Sequence, residues 1–281
     1  MKSCIYIICV SLLSSCSLFD ADKPEPMYFN MDEVQLQTTV LQGENTHKIR
    51  DVSVYADGFS IGLYPLPANI PVLSEREEVE LFIFGVIRNN GIASNPIEYP
   101  FYDPVIIVRD FEAFSDNTID LNFRYSDQTR IIQLGDFETS NTFNVNVDNN
   151  PDITFIRSAE TPYGNFCGKI TITADHPSFE KTTFTKIERG DIAGSPVFLE
   201  LDYRNDIPFA IGLLRIEPGG FFVPNYKLIL TEQNEWNKVY LELTDELNDT
   251  QFDQFTILIG SNQSSTGFGS IWIDNVRLVY K

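Results

Sequence analysis

Histidine and cysteine are scarce in this chain, with two His and four Cys among 281 residues. Cys4, Cys9 and Cys16 crowd into its first stretch, which leaves Cys167 alone in the body of the sequence. One thiol closes no internal disulfide, and so few soft ligands make no set for zinc, haem or an iron–sulfur cluster. Positive charge is short as well. Against 40 Asp and Glu stand 20 Lys and Arg, a formal net charge of -20 with a pI near 4.3. That balance excludes a protein built to hold phosphate backbones. After the first residues there is no long 3.6-residue periodicity, which argues against a helix bundle. What the chain has is aromatic and turn-forming: 22 Phe, 12 Tyr, 16 Gly and 15 Pro, at 43% hydrophobic overall. Spread along the sequence, these read as many short strands separated by turns. The length holds two ordinary domains or one large one.

At the N-terminus, Lys2 precedes an apolar stretch over residues 5–13, followed by Ser14, Ser15 and Cys16. Such a stretch is an export signal and is too short to span a bilayer as a permanent helix. Leu13-Ser14-Ser15-Cys16 resembles the bacterial lipobox. The resemblance implies a signal peptide over residues 1–15, cleavage before Cys16, and acylation of Cys16. Several acyl chains on one residue hold a protein at a membrane, each buried methylene contributing ~0.8 kcal/mol. By the same resemblance Ser17, in place of Asp, points to the outer membrane. Asp20, Asp22 and Glu25 resemble the acidic export signals of surface lipoproteins in the Bacteroidota, and read equally well as a solvated tether. Residues 16–31, with Pro24 and Pro26, are expected to form that acidic tether. So acidic a body is repelled by anionic headgroups, so the lipid does the anchoring.

Beyond the tether, period-2 alternation recurs between Gly, Pro, Asn and Asp. In the first half residues 51–55 lead through Asp57-Gly58 into residues 60–64, a hairpin signal, and further strands are expected at 78–87, 105–111 and 118–125. The segment 52–67 resembles PEGA-type repeats, small β-domains of bacterial envelope proteins. In the second half strands are expected at 167–174, 197–203, 209–216, 227–230, 236–243, 254–260 and 269–278. An opening Asp136-Phe137-Glu138, a central Tyr163-Gly164 before Gly168-Lys169-Ile170-Thr171-Ile172, then Trp236-Asn237-Lys238-Val239-Tyr240-Leu241 and a closing Ile273-Asp274-Asn275-Val276-Arg277-Leu278 together resemble the galactose-binding-like jelly rolls. Many carbohydrate-binding modules share that fold. The expected architecture is all-β: an N-terminal β-sandwich of Ig/PEGA-like kind over 32–130 and a C-terminal jelly roll over 131–281.

Catalytic signals are weak. Glu200 and Asp202 flank Leu201, so both carboxylates belong on one face of a strand, opposite Val197, Leu199, Leu201 and Tyr203. A glycosidase on this fold needs a further carboxylate, but Arg204 and Asn205 stand where it would fall and Asp206 comes one residue late. The pair is expected on a strand's wet face. No Gly-x-Ser-x-Gly elbow occurs, and His47 and His176 lie in polar segments expected at the surface. Cys167, in a strand-like run, is expected buried and structural. The jelly-roll resemblance implies a structural calcium joining Glu138, with Asp136 as a further ligand, to Asp274, with carbonyls from 161–165 completing the shell. The alternative is that Asp274 caps a turn and Glu138 pairs with a Lys. For ligand binding, Trp236 and Tyr240 oppose the aliphatic Val239 and Leu241, and Trp272 opposes Ile271 and Ile273. These aromatics make a binding platform or lie under a cover. Tyr99, Phe101 and Tyr102 make a contact patch or fold back over a sandwich end, and Phe221-Phe222 sits at a loop tip suited to a protein contact.

The functional expectation is a non-catalytic lipoprotein of the outer membrane, at its periplasmic face or the cell surface. It acts as a binding or accessory subunit of an envelope protein complex. The alternative is a glycan-binding surface lipoprotein that uses the jelly roll, and a jelly-roll hydrolase comes third. Partners are then an outer-membrane protein complex or a glycan, with the membrane met through the lipid anchor and no nucleic acid. No cofactor is required, a structural calcium apart.

Overall fold

The computed structural model describes residues 25–148, 152–192, 194–217, 219–262 and 268–281. The signal peptide, Cys16 and the first part of the tether lie outside the described residues. The first sandwich is built from β1 (Met27–Gln37), β2 (Asp51–Ala56), β3 (Phe59–Pro65), β4 (Ala68–Val72), β5 (Glu78–Arg88), β6 (Pro96–Glu98), β7 (Val105–Asp110) and β8 (Asp116–Arg124). A 3-stranded sheet ordered β4-β1-β8 faces a 5-stranded sheet ordered β3-β2-β5-β6, with β7 also on β5. Asp57 and Gly58 both take positive φ (52° and 85°) between paired Ala56 and Phe59. That is the backbone a two-residue hairpin requires, as the Asp-Gly step predicts.

The tether is shorter than expected. It was expected to run to Met31, but β1 begins at Met27, and Met27, Phe29 and Met31 alternate into the core at 2%, 0% and 0% exposure. Three apolar side chains at period 2 outweigh the neighbouring prolines and acids, because each one buried removes enough apolar surface from water to contribute ~1.5–3 kcal/mol.

The second sandwich comprises β9 (Arg130–Gly135), β10 (Val145–Asn146), β11 (Ile156–Ser158), β12 (Cys167–Ile172), β13 (Ser178–Thr182), β14 (Ile187–Glu188), β15 (Val197–Asn205), β16 (Phe209–Ile216), β17 (Phe222–Leu230), β18 (Gln233–Glu242), β19 (Gln254–Asn262) and β20 (Gly269–Tyr280). One 6-stranded sheet runs β10-β13-β19-β16-β17 with β14 on β19; the other runs β11-β12-β20-β15-β18 with β9 on β20. Their inner faces meet over Leu199, Leu201, Ile211, Leu213, Val239, Leu241, Ile257, Ile259, Ile271 and Ile273. On β20 the inward set changes phase, from Ile271 and Ile273 to Val276 and Leu278. Asn275, at φ 49°, is the extra residue of a β-bulge opposite the paired Glu200 and Asp202 of β15. Cys167 is buried as expected.

The first sandwich docks on the outer face of the β11-β12-β20-β15-β18 sheet. Phe198, Tyr240 and Val279 of that face join the core of the first sandwich. Tyr99, Phe101 and Tyr102 fold into this junction at 3%, 0% and 5% exposure, Tyr99 standing edge-on to Phe198 and Tyr240. Asn90 closes the joint by donating its N–H to the Tyr240 carbonyl and accepting the Glu242 N–H, each at 2.9 Å. Among the described residues no helix is long and apolar enough to cross a membrane.

Candidate functional site

Strand alternation sends Glu200, Asp202 and Arg204 of β15, Trp236, Lys238 and Tyr240 of β18, and Trp272, Asp274 and Arg277 of β20 to the outer face of one sheet. Part of that face is sealed by the first sandwich. Glu200 accepts hydrogen bonds from the Tyr99 hydroxyl (2.8 Å) and the Tyr125 hydroxyl (2.8 and 2.9 Å), and pairs with Lys238 Nζ (3.1 Å) and Arg277 Nε (3.7 Å). Burial works to raise its carboxyl, but the Lys238 and Arg277 charges, with both tyrosine hydroxyls, hold it below the usual carboxylate range. Burial pushes the Tyr99 and Tyr125 phenols well above theirs, so both remain donors. Asp202 accepts from the Thr46 hydroxyl at 2.6 Å. The expectation of a wet face for Glu200 and Asp202 is therefore corrected: both are fully buried. Their cover comes from residues far away in sequence, which no strand pattern reveals.

The expected aromatic platform is not assembled. Tyr240 is 1% exposed, with its hydroxyl accepting the Lys48 N–H at 3.1 Å beneath the first sandwich. Trp272 is 6% exposed, roofed by the Arg204 guanidinium at 4.0 Å and Lys169 Nζ at 4.8 Å. Its indole N–H donates to Glu160 at 3.2 Å, and Arg204 and Lys169 pair with the same carboxylate. Trp236 alone of the three reaches an open space, half-buried and edge-on to Tyr163 with ring centres 5.5 Å apart.

That space is a cleft between the sandwiches, in two lobes that share Asn45, His47 and Tyr163 in their walls. The larger, about 990 Å³, runs along residues 34–40 and is closed by Gln133, Asp136, Glu138, Asp274 and Asn275. The smaller, about 390 Å³, holds Trp236, Asn237, Lys48, Arg50, Asp202 and Lys238. His47 was expected at the surface; it is a half-buried wall residue, its imidazole held below the usual value by burial and then by the Lys238 charge. Glu44, Asp136, Glu138 and Asp274 line the larger lobe, where no Lys or Arg lies in the wall among the described residues. Burial lifts the Asp274 carboxyl to about 8, against hydrogen bonds from the Asn275 N–H and the Thr161 hydroxyl. Asn275 Nδ2, on a residue 3% exposed, has no protein partner. Tyr163 is the wall residue that sequence reasoning missed. The Tyr163-Gly164 turn, with Gly164 at φ 53°, was its only signal.

Glu138 and Asp274 open onto the same lobe, but the groups around them do not fit calcium. Glu138 is held by the N–H groups of Asn165 (2.7 Å) and Phe166 (3.0 Å) and by Asn165 Nδ2 (3.0 Å), so this turn offers it donors where calcium takes six to eight oxygens. Among the described residues no group of three or more Asp, Glu, His or Cys side chains is placed to hold an ion. Nor does Glu138 pair with a Lys; it fastens the 163–166 turn to the opening of the second sandwich.

No protein-family model and no curated protein sequence matches the chain. Solved structures do. The family 30 carbohydrate-binding module of a Clostridium thermocellum cellulosomal cellulase aligns at TM-score 0.42 and 11% identity, over 53% of this chain and 96% of that one. A carbohydrate-binding module described for promiscuous specificity within the β-sandwich superfamily aligns at 0.38 and 12%, over 80% of this chain and 84% of that one. A family 29 module variant complexed with cellulohexaose aligns at 0.33 and 12%, over 55% and 93%. The likeness is one of β-sandwich fold.

Proposed function

We propose that the protein is a non-catalytic glycan-binding lipoprotein, anchored through Cys16 at the outer membrane, that takes a saccharide in the cleft between its sandwiches. The observation that carries this reading is the pairing of Trp236 with Tyr163 in the wall of a cleft whose other lining side chains are mostly polar, with Val34, Leu36, Val40 and Ile49 the aliphatic ones. Sugars present C–H faces to aromatic rings and hydroxyls to amides and carboxyls, and the cleft supplies both kinds of surface. The lobe volumes fall within the ~300–1,000 Å³ of ordinary small-molecule sites. In the larger lobe carboxyls without a lining cation disfavour uronates and sulfated chains, while Lys48, Arg50 and Lys238 line the smaller lobe beside Trp236. Glu200, the one carboxylate with a glycosidase-like spacing to Asp202, is bonded on all sides and out of reach of substrate, which supports a binding role.

Calorimetric titration with neutral oligosaccharides tests the reading. Trp236→Ala is expected to weaken binding by about tenfold or more, the equivalent of ~1.4 kcal/mol, with no reducing ends released. Equal affinity in wild type and variant would remove the cleft as the site.

A second reading, an accessory subunit of an envelope complex, has its own observation. The outer face of the β3-β2-β5 sheet exposes Leu63, Ile106 and Val108 at 46%, 53% and 48%, around half-buried Tyr55, Phe82 and Phe84. Apolar patches of this kind on a soluble body mark partner contacts. Co-purification with a barrel protein from detergent extracts, lost in Ile106→Ser/Val108→Ser, would favour it.

A further inference from the structure

The end of the first sandwich where β1 begins carries apolar groups that the fold itself does not use. Phe114 closes a tight turn, Ser115 N–H donating to the Glu112 carbonyl at 3.1 Å, and takes φ 62° there. Glycine is the default residue at such a position, and a bulky side chain in it is a genuine outlier. The ring is nonetheless 62% exposed, so it repays no strain by packing. A strained backbone under an exposed aromatic is a feature retained for something outside the fold.

Phe114 is not alone. Its N–H donates to the Pro26 carbonyl at 2.9 Å, which places it where the chain enters the first sandwich. Met27 pairs with Val72, so Leu73, 52% exposed, lies beside Pro26. The Ser74 hydroxyl then donates to Asp57 at 2.9 Å, bringing in the Asp57-Gly58 hairpin and Phe59, 74% exposed. Three exposed apolar side chains thus share one end of the sandwich with Pro26. Pro26 is only ten positions from Cys16, a reach of at most about 36 Å when fully extended.

We infer that this end of the first sandwich lies against the membrane, with Phe59, Leu73 and Phe114 entering the interfacial layer beside the acyl chains of Cys16. The inference rests on the acylation of Cys16 and is independent of what the cleft binds. Exposed Glu25, Glu75, Glu77, Glu112 and Asp116 rim the same end against Arg76, which pairs with Asp57, so the matching surface is zwitterionic, not anionic. Apolar side chains then do what basic residues do in proteins that meet anionic lipid: they set the orientation of the body on the bilayer.

The test uses the acylated protein reconstituted into phosphatidylethanolamine–phosphatidylcholine vesicles that carry a quencher on the lipid acyl chains. Cys167 is buried, so a fluorophore attached to Phe114→Cys, to Leu73→Cys or, as a control in the second sandwich, to Phe221→Cys reports one site at a time. Emission at 114 and 73 is expected to be mostly lost and emission at 221 retained. Adding Phe59→Ser and Leu73→Ser to the Phe114→Cys protein should restore emission at 114 while the protein still floats with the vesicles. Unquenched emission at 114, or equal quenching at 221, overturns the membrane-facing end. Protein that fails to float overturns the anchor and this face with it.

Discussion

Glu200 is a buried anion held by two cations and two phenols, so its removal is asymmetric. Glu200→Gln keeps the shape but removes the carboxylate partner of Arg277 and leaves Lys238 only the longer pair to Asp202 at 3.8 Å, a loss of about 3–5 kcal/mol when one partner of a buried pair is removed. An unfolding free energy lowered by that amount in denaturant titration, with saccharide affinity unchanged, is the expected result. Its folded carboxyl lies below the ordinary value. Its stabilisation is therefore complete above the unfolded value near 4.3 and is lost as pH falls through the lower folded one. Asp274 behaves in the opposite sense. Its folded value is about 8 against an ordinary value of 3.8, so the unfolded chain ionises first as pH rises. Below about pH 4 both states are protonated and nothing is lost; from there to about pH 8 stability falls, and it is level beyond. The melting midpoint of Asp274→Asn, relative to wild type, should rise across that window and stay flat outside it. A constant offset would mean that Asp274 does not titrate abnormally. At this scale strand alternation was readable in the sequence: Tyr240 and Trp272 do oppose aliphatic faces. What covers each was not, because the Tyr99 that meets Tyr240 and the Lys169 that meets Trp272 belong to other elements, and periodicity carries no information about them.

Whole elements were more legible than their ends. The Asp57-Gly58 hairpin and the strands around residues 78–87, 197–203, 209–216 and 236–243 follow directly from alternation and turn chemistry. Two- and three-residue strands such as β10, β11 and β14 are too short to carry a period, and the bulge at Asn275 shows only as a phase change along β20. The 161–166 turn illustrates what an order of motifs leaves out. The residues implied as calcium ligands do share a lobe, yet the turn presents N–H groups to Glu138, so its hold needs no ion. Unfolding followed by circular dichroism should give the same midpoint with chelator and with millimolar calcium. A rise of several degrees on adding calcium would mean that the turn rearranges to offer its carbonyls, since a ligand at a hundredfold excess over Kd stabilises by about 2.7 kcal/mol.

For the molecule as a whole, the proposed N-terminal lipid and a cleft shared by two sandwiches would give the proposed outer-membrane binding role a definite geometry. Cys16→Ser should leave the protein uncleaved or released from the membrane fraction, while a purified, signal-free chain keeps its saccharide affinity. Normal membrane fractionation of that variant would remove the anchor. Two strand sets, over 32–130 and 131–281, were expected from the sequence. The docking of one part on the other was not, since Tyr99, Phe101 and Tyr102 read equally well as a loose contact patch until Phe198 and Tyr240 are seen against them.

The position of β1 has a mechanical consequence. It is the middle strand of its sheet, hydrogen-bonded along one edge to β4 and along the other to β8, and the tether leaves from its first residue. Under the proposed glycan binding and lipid anchoring, a load taken up at the cleft and returned through the lipid would pull β1 along its own axis. Both ladders must then slide at once, in shear, where an edge strand would peel one bond at a time. A chain moored in this way should withstand drag that would unzip a sandwich tethered through an outer strand.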